Sequence, residues 1–460
     1  MGKLFGTDGI RGIAGRYPMT VDMALIIGRV TADFFAKADN NPRPTTIVVG
    51  KDTRQSGDML AGALCAGICD RGADVQLAGV LPTPGIAFLT RSLGADAGIV
   101  ISASHNPYQD NGIKIFTRRG YKLSTDQEAE LEARILSAPE LAGLGGAAGR
   151  IHSLRSAATL YADFLKTVPE NETGKADNVA GGGHPGDDLK LVIDCANGAV
   201  SDVAVDVFPG ATLLFASPDG RNINNGCGSE HPEALSTEVI NQGASAGFAF
   251  DGDGDRVVAV DENGMMVSGD RIIAFCAGYL KENGRLRNNT AVSTVMSNIG
   301  LSRFLEEQGV VHVTTDVGDR HVLERMRACG AVIGGEDSGH IIFSEYQTTG
   351  DGMLTALMIC EIMKRTGKPL SELASCMTVY PQELINVPVR EKPDLVTLSN
   401  VQREIESIES ALGQSGRVLV RYSGTQPLCR VMVEAAASNQ AREAAARIVE
   451  AIRREIGSLE

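Results

Sequence analysis

The chain is 460 residues long, carries a formal net charge of −14 and draws 43% of its residues from the hydrophobic types. That length and apolar content predict several cores, about three or four domains of ~100–150 residues each. The acidic balance, with a pI near 5.1, argues against a nucleic-acid or membrane-surface partner, which would require a basic face. A local cluster of Arg and Lys for a phosphorylated substrate remains compatible with it.

The cysteines and the apolar runs indicate where the protein works. Nine cysteines are scattered without metal-finger spacing, and Cys65 and Cys69, one helical turn apart, are interpreted as small core residues. Free thiols and the lack of a signal segment predict a cytoplasmic protein. No apolar run approaches the ~20 residues that cross a bilayer, so no membrane partner is expected.

Strands and helices alternate in three successive passes, followed by a different tail. The first pass has strands at 45–50, 74–79 and 97–102 with helices at 56–71 and 83–92; the second has segments at 191–195, 201–208, 212–216 and 247–250; the third has segments at 290–295, 301–307, 312–315, 319–329 and 331–334. Such alternation predicts parallel or mixed sheets covered on both faces. The last ~80 residues, in the order strand–helix–strand–strand–helix, predict a separate α+β unit.

The predicted fold class is therefore α/β, with three similar mixed-sheet domains followed by a smaller α+β C-terminal domain around a central cleft. The predicted domains are 1–150, 151–262, 263–375 and 376–460. Segments 138–149 and 171–188 are rich in small, polar or glycine residues and are interpreted as linkers. No function is assigned to the second linker.

The first pass ends in Gly98-Ile-Val-Ile-Ser-Ala-Ser-His-Asn-Pro107, a buried strand followed at once by turn formers. This pattern lets the Ser104 hydroxyl face a crevice at the carboxyl end of a strand, where open α/β sheets bind ligands. The alternative is an ordinary turn with a capping serine. Lys114 and Arg11 could neutralise a phosphate on this serine, and a lysine surrounded by cations loses its proton readily enough to act as a base.

The second pass ends in Phe250-Asp-Gly-Asp-Gly-Asp-Arg256, which lies between two predicted strands. Three aspartates at alternate positions can turn their carboxylates, Asp251, Asp253 and Asp255, toward one point. Hard oxygen ligands suit Mg²⁺, and the mutual repulsion of these charges would be costly without a cation. An EF-hand is rejected, because Arg256 stands at the sixth position, where that loop needs glycine.

Two further loops have the composition of a phosphosugar site. Gly334-Gly-Glu-Asp-Ser-Gly-His340 offers Glu336 and Ser338 as an acceptor and a donor for sugar hydroxyls. Arg421-Tyr-Ser-Gly-Thr-Gln-Pro427, with Arg430 beyond it, combines arginine, hydroxyls and exposed backbone N–H groups, which suit a phosphate dianion. For each loop the alternative is an ordinary turn, since serine and glycine are common turn residues.

Taken in this order, the loops resemble those of the α-D-phosphohexomutase superfamily over almost the whole chain, from Leu4 to about Ile452. The motifs that carry the resemblance are Leu4-Phe-Gly-Thr-Asp-Gly-Ile-Arg-Gly12, Ile101-Ser-Ala-Ser-His-Asn-Pro107, Asn222-Ile-Asn-Asn-Gly-Cys-Gly-Ser229, Val317-Gly-Asp-Arg320, Thr348-Thr-Gly-Asp-Gly352 and Ser423-Gly-Thr-Gln-Pro427. They are closest to the bacterial branch that acts on hexosamine phosphates. Other branches usually show Thr where this chain has Ser102, and Asn where it has Gly424.

The resemblance implies a role for each matching residue. Ser104, rather than Ser102, would carry the phosphoryl group and serve as a further ligand of Mg²⁺ beside the three aspartates. Catalytic roles would fall to Ser104, Lys114, Arg11 and His105; substrate binding to Arg256, Glu336, Ser338, His340, Arg421, Ser423, Gly424, Thr425 and Arg430; and metal binding to Ser104, Asp251, Asp253 and Asp255. Lys114 would move the proton, and the Arg421 loop would grip the non-reacting phosphate.

The resemblance further implies a reversible shuttle between glucosamine 6-phosphate and glucosamine 1-phosphate through glucosamine 1,6-bisphosphate, which feeds cell-wall precursor synthesis. A possible homodimer is also implied. The alternatives are a mutase of glucose or mannose phosphates with the same residues, a metal-dependent phosphatase, and a silent sugar-phosphate-binding protein. A silent protein is disfavoured because every catalytic position is intact.

Overall fold

A computed structural model describes residues 4–6, 8–38, 44–137, 148–171, 188–423 and 426–457. Most of the predicted linkers 138–149 and 171–188, together with Gly424 and Thr425, lies outside the described residues. By backbone proximity the chain divides into two compact units, 1–295 with 311–375, and 296–310 with 376–460. The finer division into four domains stays a prediction.

The strands and helices follow one another in a mixed order. The strands are β1 (Phe5–Gly6), β2 (Gly9–Ile13), β3 (Thr46–Lys51), β4 (Asp74–Val80), β5 (Ala97–Ile101), β6 (Asp110–Thr117), β7 (Ile151–Ser153), β8 (Leu191–Asp194), β9 (Thr212–Leu214), β10 (Ala246–Phe250), β11 (Val257–Asp261), β12 (Met266–Val267), β13 (Thr290–Thr294), β14 (Val311–Thr315), β15 (Ile333–Gly335), β16 (Ile341–Phe343), β17 (Gln382–Pro388), β18 (Arg417–Tyr422) and β19 (Leu428–Glu434). The helices are α1 (Val21–Ala38), α2 (Ser56–Asp70), α3 (Thr83–Ser92), α4 (Thr125–Leu136), α5 (Ala157–Asn171), α6 (Ala204–Val207), α7 (Glu233–Gln242), α8 (Gly269–Glu282), α9 (Ile299–Glu307), α10 (Asp319–Cys329), α11 (Gly352–Thr366), α12 (Leu370–Ala374), α13 (Ser399–Leu412) and α14 (Ser438–Ile456).

The first unit contains three mixed sheets, which confirms the predicted class. Their strand orders are β1-β2-β6-β5-β3-β4-β7, β12-β11-β10-β8-β9 and β14-β13-β15-β16. Each sheet has a parallel core, and in each an antiparallel strand follows a parallel one after a short loop: β6 after β5, β11 after β10 and β16 after β15. These three connections carry predicted site residues, and we call them the serine loop (102–110), the carboxylate loop (251–256) and the sugar loop (336–340). Each functional loop therefore leaves the carboxyl end of a strand, where binding residues of α/β sheets collect.

Close helix packing supports the first sheet. A side-chain carbon at Gly28 of α1 would lie 2.2 Å from the Leu64 carbonyl oxygen, and one at Gly67 of α2 would lie 2.2 Å from that of Leu25. Only glycine lets the two backbones approach this closely. The apolar faces of both helices, including Ile27 and Leu64, pack in the same core as the strands.

The second unit is the predicted α+β tail. Its antiparallel sheet has the order β17-β19-β18. Helices α13 and α14 pack against this sheet and share one hydrophobic core with it. The predicted strand–helix–strand–strand–helix order is confirmed. Segment 296–310, which carries α9, belongs to this unit although it precedes β14 in the chain.

The elements predicted from the sequence differ most from the observed ones in the second sheet, and α1, α4, α5, α8 and α11 were not predicted. In the predicted segment 201–208 only the four residues of α6 are helical. The valines and aspartates of this segment are weak helix formers. Sequence reasoning missed α7, which begins after Pro232 and ends at the left-handed Gly243. Among the described residues no helix is both long and apolar enough to cross a membrane.

Candidate active site

Ser104 occupies an unusual backbone position at the end of β5. It is 1% exposed and has a φ of +54°, a region that a residue with a side chain rarely adopts. Its hydroxyl donates to Asp251 Oδ2 at 2.5 Å and lies 3.3 Å from His105 Nδ1. Burial and the nearby Arg256 lower the pKa of His105, which keeps its ring neutral.

The carboxylate loop approaches the serine loop backbone to backbone. A side-chain carbon at Gly252 would lie 2.7 Å from the carbonyl oxygen of Ser104, so glycine is needed there. The three aspartates, all buried, each offer an oxygen within 4.8 Å of the others. This group can hold a metal ion.

The charges in this loop fit a divalent cation. Burial, and then repulsion from Asp255 and Asp253, raise the pKa of Asp251 well above its usual value. Asp253 Oδ1 and Asp255 Oδ1 are buried and accept no hydrogen bond within the described part of the chain. Buried carboxylate oxygens of this kind are costly unless a partner satisfies them, and oxygen is the ligand that Mg²⁺ prefers.

Lys114 on β6 is buried among carboxylates. Its Nζ lies 2.8 Å from Asp253 Oδ2 and 3.3 Å from Asp255 Oδ2, and 3.0 Å from Asp8 Oδ2. Burial opposes its charge, but the attraction of these carboxylates outweighs burial and raises the pKa of Lys114 well above its usual value. Carboxylates thus dominate the surroundings of this lysine, and without a bound metal ion they favour its protonated form. Its role as the proton-transfer group stays a prediction.

Asp8 extends this cluster to two more cations. It pairs with Arg11 and with Lys122, and Lys122 also pairs with Asp319 at the start of α10. Burial alone would raise the pKa of Asp8, but Lys114, Lys122 and Arg11 hold it well below the usual value. The structure thus places the predicted Arg11 in the same charge network as Lys114.

His340 lies between two carboxylates. Its Nδ1 is 3.6 Å from Asp255 Oδ1 and its Nε2 is 3.8 Å from Asp319 Oδ2. The Gly350 N–H donates to Nε2 at 3.0 Å, so the ring proton lies on Nδ1 and faces Asp255. Burial opposes protonation and the carboxylates favour it, with a net rise in the pKa of His340; the Gly350 bond, which needs a lone pair, works against that rise. Its contact with a sugar stays a prediction.

The predicted sugar loop lies beside the carboxylate loop. Glu336 Oε1 accepts from the Gly318 N–H at 2.9 Å, and its charge adds to that of the aspartates in raising the pKa of Arg256. Burial opposes that rise, and Asp255 is the strongest attraction. Ser338 is exposed. Arg256 and Glu336 are thus brought near the triad, and the binding roles of Arg256, Glu336 and Ser338 stay predictions.

In the second unit, Arg421 on β18 lies directly opposite Arg430 on β19. Like charges directly opposite each other destabilise a sheet unless an anion joins them. Ser423 is buried, its hydroxyl accepts from the Gln426 N–H at 3.2 Å, and its carbonyl accepts from Lys392. The arrangement supports the phosphate grip as a prediction, although Gly424 and Thr425 lie outside the described residues.

Sequence reasoning missed several polar residues that contact the predicted site or its charge network. Among the described residues they include Asp8, Asp52, Arg54, Thr83, Lys122 and Asn224. Asp52 and Arg54 follow β3 at its carboxyl end, beside the end of β5, so strand order could have revealed them. Asp8 and Asn224 stand inside motifs already quoted for the resemblance. Lys122 has no local signal, because only tertiary packing brings it close.

Comparison with known proteins agrees with this geometry. The descriptions that match are phosphoglucomutase/phosphomannomutase α/β/α domain I over residues 2–141, domain III over 268–380 and the C-terminal domain over 384–451. The chain belongs to the phosphoglucomutase/phosphomannomutase family, the α-D-phosphohexomutases. The resemblance inferred from the sequence is thereby confirmed.

Within this family, the chain is similar over almost its whole length to phosphoglucosamine mutases. The chain is 50% identical to the phosphoglucosamine mutase of Syntrophus aciditrophicus, over 99% of this chain and 100% of the relative. It is 51% identical to the phosphoglucosamine mutase of Desulforapulum autotrophicum, over 94% of this chain and 95% of the relative. A solved phosphoglucomutase/phosphomannomutase family protein from Burkholderia thailandensis is 26% identical, covers 98% of each chain and has a TM-score of 0.76.

Proposed function

We propose that this chain catalyses the phosphoglucosamine mutase reaction, an isomerisation by phosphoryl transfer between glucosamine 6-phosphate and glucosamine 1-phosphate. The observation that carries the proposal is the buried Ser104 hydroxyl, held 2.5 Å from Asp251 in a group of three buried carboxylates. The phosphoglucosamine mutases that match almost the whole chain support the choice of sugar.

In the first half-reaction the P–O bond of phospho-Ser104 breaks and a bond forms to O1 of glucosamine 6-phosphate, giving the 1,6-bisphosphate. Lys114 gives a proton to the Ser104 oxygen as the P–O bond breaks and takes up the proton that the O1 hydroxyl loses, so that it is protonated again at the end of the half-reaction. In the second, the 6-phosphoryl group returns to Ser104 and glucosamine 1-phosphate leaves. Catalysis then rests on positioning and on neutralising charge.

The aspartates Asp251, Asp253 and Asp255, with the Ser104 oxygen, would hold Mg²⁺. When bound, this ion supplies positive charge against the phosphoryl oxygens. Arg11 and Lys114 add fixed positive charge beside the triad. Glu336 and Ser338 would bind sugar hydroxyls, and Arg421, Ser423 and Arg430 would bind the phosphate that does not react.

Intact-protein mass spectrometry of the wild type, Ser104→Ala and Ser102→Ala tests the proposal. After incubation with Mg²⁺ and glucosamine 1,6-bisphosphate, we expect one phosphate on the wild type and on Ser102→Ala, and none on Ser104→Ala. Glucosamine 6-phosphate should then remove the label faster than glucose 6-phosphate or mannose 6-phosphate. Release as inorganic phosphate would instead indicate a phosphatase, and an unlabelled wild type would overturn the proposal.

A further inference from the structure

Arg54, at the carboxyl end of β3, is fully buried, with 0% of its surface exposed. Its guanidinium lies under the serine loop and donates to main-chain carbonyl oxygens there. Nη2 lies 2.9 Å from the oxygen of Ser104 and 2.8 Å from that of Asn106, while Nη1 lies 3.1 Å from that of Asp110 and also donates to Pro107. Four carbonyl groups of one short loop thus point at one cation.

The only carboxylate bonded to this guanidinium within the described residues is Asp52, whose Oδ2 accepts from Nε at 2.8 Å. A buried guanidinium is costly unless its five N–H donors are satisfied, and bonds to a charged donor are stronger than neutral ones. Most of those donors are satisfied by the serine loop. The burial of Arg54 and the conformation of that loop therefore depend on each other.

The Asp52 carboxylate that binds Arg54 also fixes the backbone N–H of Ser104, through the hydroxyl of Ser102. Ser102 Oγ donates to Asp52 Oδ2 at 2.6 Å and accepts from the Ser104 N–H at 3.0 Å. Asn224 Nδ2 adds a second bond to the Ser104 carbonyl oxygen, at 2.8 Å. Both backbone polar groups of Ser104 are thus fixed, which offsets the cost of its positive φ.

Fixing the Ser104 carbonyl also orients the next amide. In a planar trans peptide the N–H of His105 points opposite to the carbonyl of Ser104, and so away from Arg54. Within the described residues this N–H donates to no other group. A backbone N–H left open beside the serine hydroxyl suits an oxygen of a phosphate on that serine.

We propose that Arg54 is a positioning residue for phosphoryl transfer at Ser104. With Asp52 and Ser102 it holds the loop so that the serine oxygen faces the carboxylate triad and the His105 N–H faces the phosphate. Within the described residues the guanidinium of Arg54 donates its hydrogen bonds to Asp52 and to the backbone of the serine loop. The inference rests on the proposed phosphoserine function.

The test compares Arg54→Met and Arg54→Lys with the control Arg71→Met. Arg71 is a poorly exposed arginine paired with Asp33 on the helical layer. Single-turnover transfer from phosphorylated enzyme to glucosamine 6-phosphate, KM, Tm and the ³¹P NMR shift of the phosphoserine are measured. We expect Arg54→Met to lower the transfer rate about 100-fold, to change the ³¹P shift and to leave KM within about threefold. Arg54→Lys should lose less, and Arg71→Met should change only Tm.

A milder pair serves if Arg54→Met does not fold. Ser102→Ala removes the hydroxyl between Asp52 and the Ser104 N–H, and Ser102→Thr keeps it. We expect transfer about tenfold slower in the alanine variant, as for a loop displaced by less than 1 Å, with recovery in the threonine variant.

Two outcomes overturn the inference while the proposed function stands. They are a folded Arg54→Met that transfers phosphate at the wild-type rate, and equal rates in Ser102→Ala and Ser102→Thr. A wild type that never carries phosphate overturns both.

Discussion

Two buried cations beside the serine loop, Lys114 and Arg54, are stabilised by different kinds of partner. Lys114 is 1% exposed and Arg54 is 0% exposed. Lys114 is held by carboxylates that are themselves candidate metal ligands, so a metal ion bound there would weaken their attraction for its charge. Arg54 is held mainly by backbone carbonyls, which do not titrate. The chemistry of each side chain matches its place: an ammonium can give up a proton, whereas a guanidinium stays charged and fans out its donors.

The largest expected effect comes from removing divalent cations, which leaves Lys114 as the main charge facing the triad. Exhaustive chelation should reduce phosphoryl transfer to background, and MgCl₂ should restore it. Because burial and repulsion from Asp255 and Asp253 raise the pKa of Asp251, protons compete with the metal, so the Mg²⁺ concentration needed for activity should rise as the pH falls. Activity titrated with MgCl₂ at pH 6, 7 and 8 measures this. Full activity in chelator, or no change with pH, would contradict it.

The second effect is that of Lys114→Met, which should lower kcat by about 10²–10⁴-fold. It leaves three carboxylates without their cation, so we also expect a lower Tm. Lys114→Arg keeps the charge but not a proton that can be given up, and should therefore recover little of the lost kcat, whereas Arg54→Lys should lose less activity than Arg54→Met.

Lys190→Met, which removes an exposed lysine bonded to the Gln242 carbonyl, is the control for the loss of a lysine charge. It should leave kcat unchanged. Steady-state kinetics from pH 6 to 9 decide the matter. A folded Lys114→Met with wild-type kcat would remove the distinction between the two cations.

The smallest effect is on stability and concerns a carboxylate with neutral partners. Asp351 accepts from Tyr161, Gln347 and Leu354, and burial raises its pKa to about 6. The folded state then binds a proton that the unfolded state releases, so this group's contribution to stability is full below about pH 4 and falls by roughly 3 kcal/mol as the pH rises to about 6.

Urea denaturation at pH 3.0, 4.5, 5.5 and 6.5 measures that contribution. Asp351→Asn should gain relative to the wild type as the pH rises. Asp8→Asn should show the opposite sign, because cations hold the pKa of Asp8 low and its contribution to stability is lost as the pH falls below about 4. A wild-type-to-variant difference that is constant with pH would contradict either expectation.

Much of the fold was predictable from local pattern. Helices α3 and α10 begin and end at the predicted residues, because their apolar spacing and flanking turn formers are local signals. The positions of the serine and carboxylate loops were predictable for a similar reason, since each loop follows a buried apolar strand. The short α6 contains weak helix formers, so its length was ambiguous in the sequence. The missed α7 has only a single proline, Pro232, to mark its beginning.

By itself the sequence determined the class of fold, the order of its loops and the residue types of the site. Tertiary structure alone decided which charges became neighbours. Lys114 meets Asp253 across 139 positions of chain, and Arg54 meets the Ser104 carbonyl across 50. Electrostatic effects depend on distance and burial, and neither is set until distant strands pack. That is why the sequence could place Lys114 near the serine loop but could not show that three carboxylates surround it.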